Sequence, residues 1–266
     1  MFHFKSMPGL SLLAGAALLL ASCSNPSAPA ASAALLVAPK EYHAKKCVHD
    51  SVCAEVNLSW PVLSGGADST LTKRLNDSIE VAVYLATNAN PALPLPLALD
   101  SAAANLYTML DSDIKAGSEM NMSYTVELKG QSVFQSPGYL SVQMDGYSFI
   151  GGAHGYYYTV LNTFSLNTSE SVHLTSIISD TTALRTMLEK AFAETHQKEI
   201  PDVKLDDLLL DPEAPLALPS NYCIVPEGVR FVYNPYEVAP YAVGQTDITL
   251  KWEQLGPIAD RNKWLK

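Results

Sequence analysis

Apolar residues recur at helical spacing in three segments of the chain, and each predicts an amphipathic helix. The first helix is predicted to begin after Asp68, a suitable N-cap. The second follows the proline-rich stretch 90–96 and ends at Gly117, and the third begins near Asp180. The apolar positions of the three helices are Leu71, Leu75, Ile79, Ala82 and Val83; Leu99, Ala102, Ala103, Leu106, Leu110 and Ile114; and Leu184, Met187, Leu188, Ala191 and Phe192.

Other segments alternate between apolar and polar residues with a period of two, which is typical of half-buried strands. Lys129-Gly130 and Ser136-Pro137-Gly138 are predicted as turns, and Gly151–Gly155 as the glycine-rich link of a hairpin. Helices and strands are mixed without regular alternation, so the predicted fold class is α+β with mainly antiparallel β-sheets. The predicted strands cover residues 52–63, 120–128, 140–144, 156–166, 222–225, 229–233 and 247–252.

The start of the chain predicts export. Lys5 precedes an apolar run from Leu10 to Leu20 that is too short to span a bilayer but fits the core of a signal peptide. The run ends in Leu20-Ala21-Ser22-Cys23, which resembles the lipobox of bacterial lipoproteins. We therefore predict a signal peptide over residues 1–22 and acylation of Cys23; the alternative is an ordinary secretory peptide that leaves Cys23 free. The residue after Cys23 is Ser24 rather than Asp, which resembles the outer-membrane sorting pattern of lipoproteins in Gram-negative bacteria. The predicted location is therefore the periplasmic face of the outer membrane.

The remaining chain is predicted to consist of a tether and two subdomains. Residues 23–38 are rich in Ala, Ser and Pro and predict a flexible tether, because such a composition buries too little apolar surface to fold. Residues 39–135 are predicted as an N-terminal α+β subdomain and residues 136–266 as a C-terminal one. No later segment is apolar for long enough to cross a membrane.

Three cysteines follow the tether in a compartment that is predicted to be oxidising. Cys47 and Cys53 enclose a loop short enough for a local disulfide, which is the favoured pairing; the alternative joins Cys223 to one of them. His43 and His49 lie beside these cysteines, but their spacing matches no zinc-ligand pattern, and no metal is predicted.

The net charge and the absence of known catalytic motifs reduce the number of function classes that the sequence supports. The chain has 17 Lys and Arg against 27 Asp and Glu, a net charge of −10. Such a charge disfavours nucleic acid and favours basic partners, although an acidic surface also keeps a protein soluble. The sequence has no nucleophile elbow, zinc-protease helix, phosphate loop or dinucleotide motif, so no catalytic residue and no cofactor are predicted.

Two segments resemble a known family. The segment Phe149-Ile-Gly-Gly-Ala-His-Gly155 leads into a strand, and residues 229–244 end in Tyr236-Glu-Val-Ala-Pro-Tyr-Ala-Val-Gly244. Both are similar to the extracytoplasmic domain of the anti-sigma factor RsiV, over roughly residues 52–255. That domain is a receptor for lysozyme and also occurs beside polysaccharide deacetylases and in bacterial lipoproteins. Where RsiV proteins carry a sigma-binding segment and a transmembrane helix, this chain has the lipobox and tether.

The resemblance marks two candidate sites. The candidate binding loop comprises Gly151, Gly152, Ala153, His154 and Gly155, with Tyr157 on the following strand. The candidate structural corner comprises Tyr236, Glu237, Pro240 and Tyr241. The glycines also fit a plain tight turn, and Tyr157 also fits ordinary strand packing.

We therefore expect a lipid-anchored, non-catalytic binding protein of the cell envelope. Its expected partner is a basic protein such as lysozyme, or a cell-wall component. One alternative is an enzyme or accessory module that modifies envelope glycans, with His154 and Glu237 as acid–base residues. A structural envelope lipoprotein is another.

Overall fold

The fold is α+β and contains two β-sheets, as the sequence predicts. In the computed structural model, the described residues are 35–49, 51–66, 68–117 and 122–266. The predicted signal peptide, the lipid-attachment residue Cys23 and most of the predicted tether lie outside these ranges. None of the helices within them combines the length and the hydropathy that a membrane span needs.

The first sheet has five strands in the order β1-β2-β3-β4-β5, which is also their order in the sequence. Only the β2–β3 pair is parallel, and helices α1 and α2 supply the long connection that parallel strands require. The predicted subdomain boundary at 135/136 falls between β3 and β4, which are paired. The elements are β1 Leu35–His49, β2 Val52–Gly65, α1 Ser69–Thr87, α2 Leu95–Lys115, β3 Tyr124–Gln135, β4 Tyr139–Phe149 and β5 Tyr156–Ser165.

The second sheet is antiparallel and has the order β6-β7-β8. The elements after β5 are α3 Leu174–Ile177, α4 Thr181–His196, β6 Tyr222–Val225, β7 Gly228–Tyr233, β8 Thr246–Lys251, α5 Trp252–Leu255 and α6 Arg261–Leu265. Helix α4 packs on this sheet through Leu184, Leu188 and Phe192, each of which is fully buried.

Helices α1 and α4 begin where the sequence predicts. Helix α2 begins earlier than predicted, at Leu95 inside the proline-rich stretch, because the first turn of a helix tolerates a proline. The carboxylate of Asp68 accepts hydrogen bonds from the backbone N–H groups of Thr70 and Leu71 at the start of α1. Asp180 caps α4 in the same way. These contacts satisfy N–H groups that have no partner inside the helix.

Each sheet has its own hydrophobic core. Helices α1 and α2 cover part of one face of the first sheet, and the core on this face includes Trp60, Leu128 and Met144. Part of the other face meets the second sheet, where Leu161 packs with residues of β6 and β7.

Two predictions about the first sheet are wrong. Lys129-Gly130 is not a turn, because β3 continues through both residues to Gln135. A Cβ at residue 130 would lie 2.8 Å from Pro61 Cδ and 3.1 Å from Trp60 Cα, so the glycine permits a close approach of two strands. Strand β1 begins at Leu35, which places the last four residues of the predicted tether in a strand.

Strand β5 also differs from its predicted pattern. In the sequence, Tyr156, Tyr158 and Val160 occupy alternate positions, which predicts that they share the buried face, yet Val160 is 38% exposed. The buried residues include Thr159, Leu161 and Thr163. These three belong to the opposite face of β5, which meets the second sheet, a contact that alternation within one strand does not reveal.

The cysteine pairing agrees with the favoured prediction. Cys47 and Cys53 form a disulfide at the end of the β1–β2 hairpin, and Cys223 is a free, buried thiol.

Candidate binding site

The two segments that resemble the same family meet in space. The loop 150–155 joins β4 to β5, and the corner 234–244 joins β7 to β8. The hydroxyl of Tyr241 donates a hydrogen bond of 2.8 Å to the backbone carbonyl of Gly155, across 86 residues of sequence. The His154 ring stacks on the Tyr241 ring, with their centroids 3.8 Å apart. The predicted loop and the predicted corner therefore form one site.

The glycines of the loop are required by its shape. Gly151 and Gly152 have φ values of 95° and 92°, which side chains of L-residues rarely adopt. Gly155 has no such φ value, but a Cβ there would lie 2.5 Å from the ring of Tyr147. Ala153 and His154 are exposed at the tip of the loop. The glycines therefore form a tight turn, and the same turn leaves Ala153 and His154 accessible to a ligand.

The corner is held by its own side chains. The carboxylate of Glu237 accepts hydrogen bonds from the backbone N–H of Asn234 at 3.0 Å and from its side-chain amide at 3.1 Å. Tyr236 takes a positive φ of 70°, and its N–H donates to the carbonyl of Ala239 at 3.0 Å. Pro240 then precedes a short 3₁₀ turn, Tyr241–Val243, which presents the Tyr241 ring to the loop.

The structure does not bring His154 and Glu237 together as an acid–base pair. The Nε2 atom of His154 lies 3.5 Å from the hydroxyl of Tyr236, and its Nδ1 atom lies 3.0 Å from the carbonyl of Gly155. Glu237 instead binds Asn234. Among the described residues, no group of His, Cys, Asp and Glu side chains is arranged to hold a metal ion.

Four tyrosines form an exposed surface beside the loop, which we call the tyrosine cluster: Tyr147, Tyr157, Tyr236 and Tyr241. The rings of Tyr157 and Tyr236 have their centroids 5.9 and 5.7 Å from that of Tyr241. Tyr147, Tyr157 and Tyr236 are 38%, 36% and 54% exposed. Partial burial, followed by the neighbouring phenols, raises the pKa of Tyr241 above its ordinary value.

Sequence reasoning missed two residues of this site. Tyr147 lies opposite Tyr157 in the β4–β5 register, a pairing that becomes visible only once the hairpin register is known. Asn234 lies beneath the cluster and is 8% exposed. Its side chain binds both backbone groups of Thr159 and also accepts a hydrogen bond from Gln245 at 2.8 Å. Asn234 lies within residues 229–244, the second segment that resembles the RsiV domain, and this position was the one signal in the sequence that could have marked it.

Two known families match the chain, and each match contains one of the two segments that form the site. Residues 47–157 match the family described as "Deacetylase PdaC", and residues 176–253 match "Protein of unknown function (DUF3298)". Along the chain, the region similar to PdaC is therefore followed by the region similar to DUF3298. The binding loop lies at the end of the PdaC match, and the corner lies within the DUF3298 match, so the site is formed by residues from both matched regions. The matches support a relation to RsiV-like domains, while membership of the RsiV family itself stays a prediction.

Two solved structures share the fold. A DUF3298-family member from Bacteroides fragilis is 18% identical and has a TM-score of 0.68, covering 87% of this chain and 96% of that one. A DUF3298-family protein from Pseudomonas aeruginosa is 16% identical with a TM-score of 0.62, covering 88% of this chain and 99% of that one. No curated protein is significantly similar to the chain in sequence.

Proposed function

We propose that the protein is a non-catalytic binding protein of the cell envelope, anchored through a lipid on Cys23, and that the tyrosine cluster is its ligand-binding surface. The observation that carries this proposal is the convergence of two distant segments, one from each matched region, on one exposed aromatic surface. The proposed ligand is a basic protein of the lysozyme type.

The composition of the cluster supports binding rather than chemistry. Tyrosine is enriched at protein interfaces because it offers a large contact area at a low cost in conformational entropy. Here the hydrogen bond from Tyr241 to Gly155 and the stacked His154 ring fix part of the surface before any ligand arrives. Such preorganisation lowers the entropic cost of association.

Charge supports a basic ligand. The net charge of −10 attracts a cationic protein, and complementary charge raises the association rate at low ionic strength. The choice of lysozyme among basic proteins rests on the resemblance to the RsiV domain.

A direct binding measurement tests the proposal. Residues 23–266 carrying Cys23→Ala would be titrated with lysozyme by calorimetry at low and at physiological ionic strength. We expect a saturable complex that weakens with salt. The double variant Tyr157→Ala/Tyr236→Ala should lose about tenfold or more in affinity, as expected for interface tyrosines.

Tyr107 of α2, which lies outside the cluster, provides the matched control. Tyr107→Ala should bind lysozyme as the parent does. The lysozyme proposal is rejected if no complex forms at either ionic strength, or if Tyr107→Ala weakens binding as much as the double variant.

The description of the first family as a deacetylase supports a second candidate, an enzyme or accessory module that modifies envelope glycans. Release of acetate from N-acetylated wall fragments, abolished by His154→Ala, would favour that candidate over the binding protein. The binding proposal expects no acetate release from either protein.

The proposed anchor is tested separately. Cys23→Ala should move the full-length protein from the membrane fraction to the soluble fraction and prevent incorporation of labelled palmitate. Membrane association and palmitate incorporation that survive the substitution would contradict acylation at this cysteine.

A further inference from the structure

A groove of about 480 Å³ lies between helix α1 and strands β4 and β5, and we call it the α1–β5 groove. Val81 and Leu85 of α1 form one wall, and Tyr156 and Val160 of β5 form the other. Met144 and Phe164, both nearly inaccessible, lie at its base.

The groove exists because the helices do not cover the whole sheet. Helices α1 and α2 pack mainly on β1, β2 and β3. The same face continues across β4 and β5 with apolar side chains, and these remain open beside α1. A covered sheet face would have buried Val160, which is instead 38% exposed.

Helix α1 carries more apolar surface than its own packing uses. Leu75, Ile79 and Val83 form the stripe that is buried against the first sheet. Val81 and Leu85, one turn apart, form a second stripe and are 53% and 77% exposed. A helix that only covered a sheet would have polar residues there, and contiguous exposed apolar surface commonly marks a binding site.

The lining of the groove disfavours the burial of a charged group. None of the described residues that line the groove is an Asp, Glu, Lys, Arg or His, although the chain has 27 acidic and 17 basic residues. A charged group placed in such a lining would lose hydration without gaining a partner. The uncharged walls therefore complement a hydrocarbon chain, and an ionised end group of the ligand has to stay in solvent at the open end of the groove.

The dimensions suit a long, thin ligand. The stretch of β5 from Tyr156 to Phe164 extends for roughly 26 Å at about 3.3 Å per residue. One leaflet of a bilayer is about 15 Å of hydrocarbon, which is the length that lipid chains fill. A volume of about 480 Å³ lies in the range of small-molecule sites, and Met144 at the base has an adaptable side chain.

We propose that the α1–β5 groove binds the hydrocarbon chain of a fatty acid. Ser148 also lines the groove and offers its hydroxyl to the carboxyl end. Asn234 lines it as well, but its side-chain amide is already engaged by Thr159, Glu237 and Gln245. Ser148 lies opposite Tyr156 in the β4–β5 register, which places this polar end at the start of β5. None of the four tyrosines of the tyrosine cluster lines the groove, although Asn234 belongs to both sites, and the assignment does not depend on the proposal that lysozyme is the ligand at the cluster.

A displacement experiment tests this assignment. Residues 23–266 carrying Cys23→Ala would be titrated with the fluorescent fatty acid cis-parinaric acid, and palmitate would then be added. We expect saturable binding of one probe per chain, and displacement by palmitate. Leu85→Glu should weaken probe binding at least tenfold, because it introduces a charge into an uncharged wall.

Leu97→Glu is the matched control, since Leu97 is 59% exposed on α2 and does not line the groove. It should bind the probe as the parent does. Both variants are at exposed positions, and circular dichroism would verify that each is folded. Equal weakening in the two variants, or the absence of saturable binding in the parent, would overturn the proposal.

Two further readouts distinguish a fatty acid site from a dimer interface and from the tyrosine cluster. If light scattering shows a dimer that Leu85→Glu converts to a monomer, and no probe binds, the groove is an interface between two copies and the proposal is wrong. The double variant Tyr157→Ala/Tyr236→Ala should bind the probe normally. Loss of lysozyme binding and loss of fatty acid binding are therefore distinguishable results.

Discussion

Asn234 pairs with Thr159 as a neighbouring strand would. The backbone N–H of Thr159 donates to Oδ1 of Asn234 at 2.8 Å, and Nδ2 of Asn234 donates to the carbonyl of Thr159 at 3.0 Å. Asn221 extends this pairing, because its Oδ1 accepts from the N–H of Leu161 at 2.6 Å. Two side chains thus satisfy backbone groups along the outer edge of β5, where a sheet ordinarily offers unpaired groups to other chains.

Replacing Asn234 should therefore destabilise the protein. Asn234→Ala leaves the buried N–H of Thr159 without its partner, while the C=O of Thr159 keeps the hydrogen bond from Nδ2 of Asn221, and we expect the free energy of unfolding to fall by about 1–3 kcal/mol. Urea denaturation would measure this change. Asn167→Ala, at an exposed position, should alter stability by less than about 0.5 kcal/mol. Equal effects of the two substitutions would show that the pairing contributes little.

Gly155 should matter for the arrangement of the tyrosine cluster. A Cβ at this position would displace the ring of Tyr147, which is free to swing towards solvent, so Gly155→Ala should weaken ligand binding more than it lowers stability. Calorimetry with lysozyme and thermal denaturation would measure the two effects. A Cβ at Gly138 would meet no atom within 4 Å, so Gly138→Ala should leave binding unchanged. Unaltered binding in Gly155→Ala would argue against a role for Tyr147.

Cys223 should be inert in the folded protein. Burial raises the pKa of its thiol to about 12, and the thiolate is the reactive form. In residues 23–266 with Cys23→Ala, we expect a thiol reagent to label no cysteine in the native state. Denaturant alone should expose the Cys223 thiol, and denaturant with reductant should also expose Cys47 and Cys53. Rapid labelling of native protein would contradict this burial.

His196 should make stability depend on pH. Burial lowers the pKa of His196 below its ordinary value of 6.5, and the charge of Glu199 opposes part of this shift. Below pH 6.5 the unfolded chain therefore binds more protons at this residue than the folded chain does. The stabilisation from neutral His196 is fully present above that pH and decreases as the pH falls through the lowered pKa.

Urea denaturation at several pH values between about 5 and 7.5 would measure this dependence. His196→Gln should make the free energy of unfolding less dependent on pH over that range. The matched control is His173→Gln, because His173 is exposed, and it should retain the parent's dependence. The same slope in the parent and His196→Gln would show that another group is responsible.

The sequence predicts those elements whose signals are local. Asp68 and Asp180 cap helices because an aspartate before an apolar stripe at helical spacing needs no information from distant residues. The β4–β5 hairpin and the Cys47–Cys53 disulfide are equally local, since each joins segments that are adjacent in the sequence.

The elements that the sequence does not predict depend on distant contacts. The start of strand β1 has the composition of a tether, and its order comes from pairing with β2. Gly130 has the local signature of a turn, because the close approach of Trp60 is not visible in the sequence. The site itself is predicted only as two separate segments, and the fold alone shows that Tyr241 binds Gly155.

Asn221 and Asn234, which pair with the backbone of β5, lie outside the PdaC match, and this has a consequence for how the gene can be divided. A gene fragment that encoded only the PdaC match, residues 47–157, would end before Thr159 and Leu161, and would lack most of strand β5 as well as the asparagines that cover its edge. Such a fragment would tend to self-associate or be degraded, so recombination that separated the two halves would be selected against. We expect the two matched regions to be inherited and duplicated together.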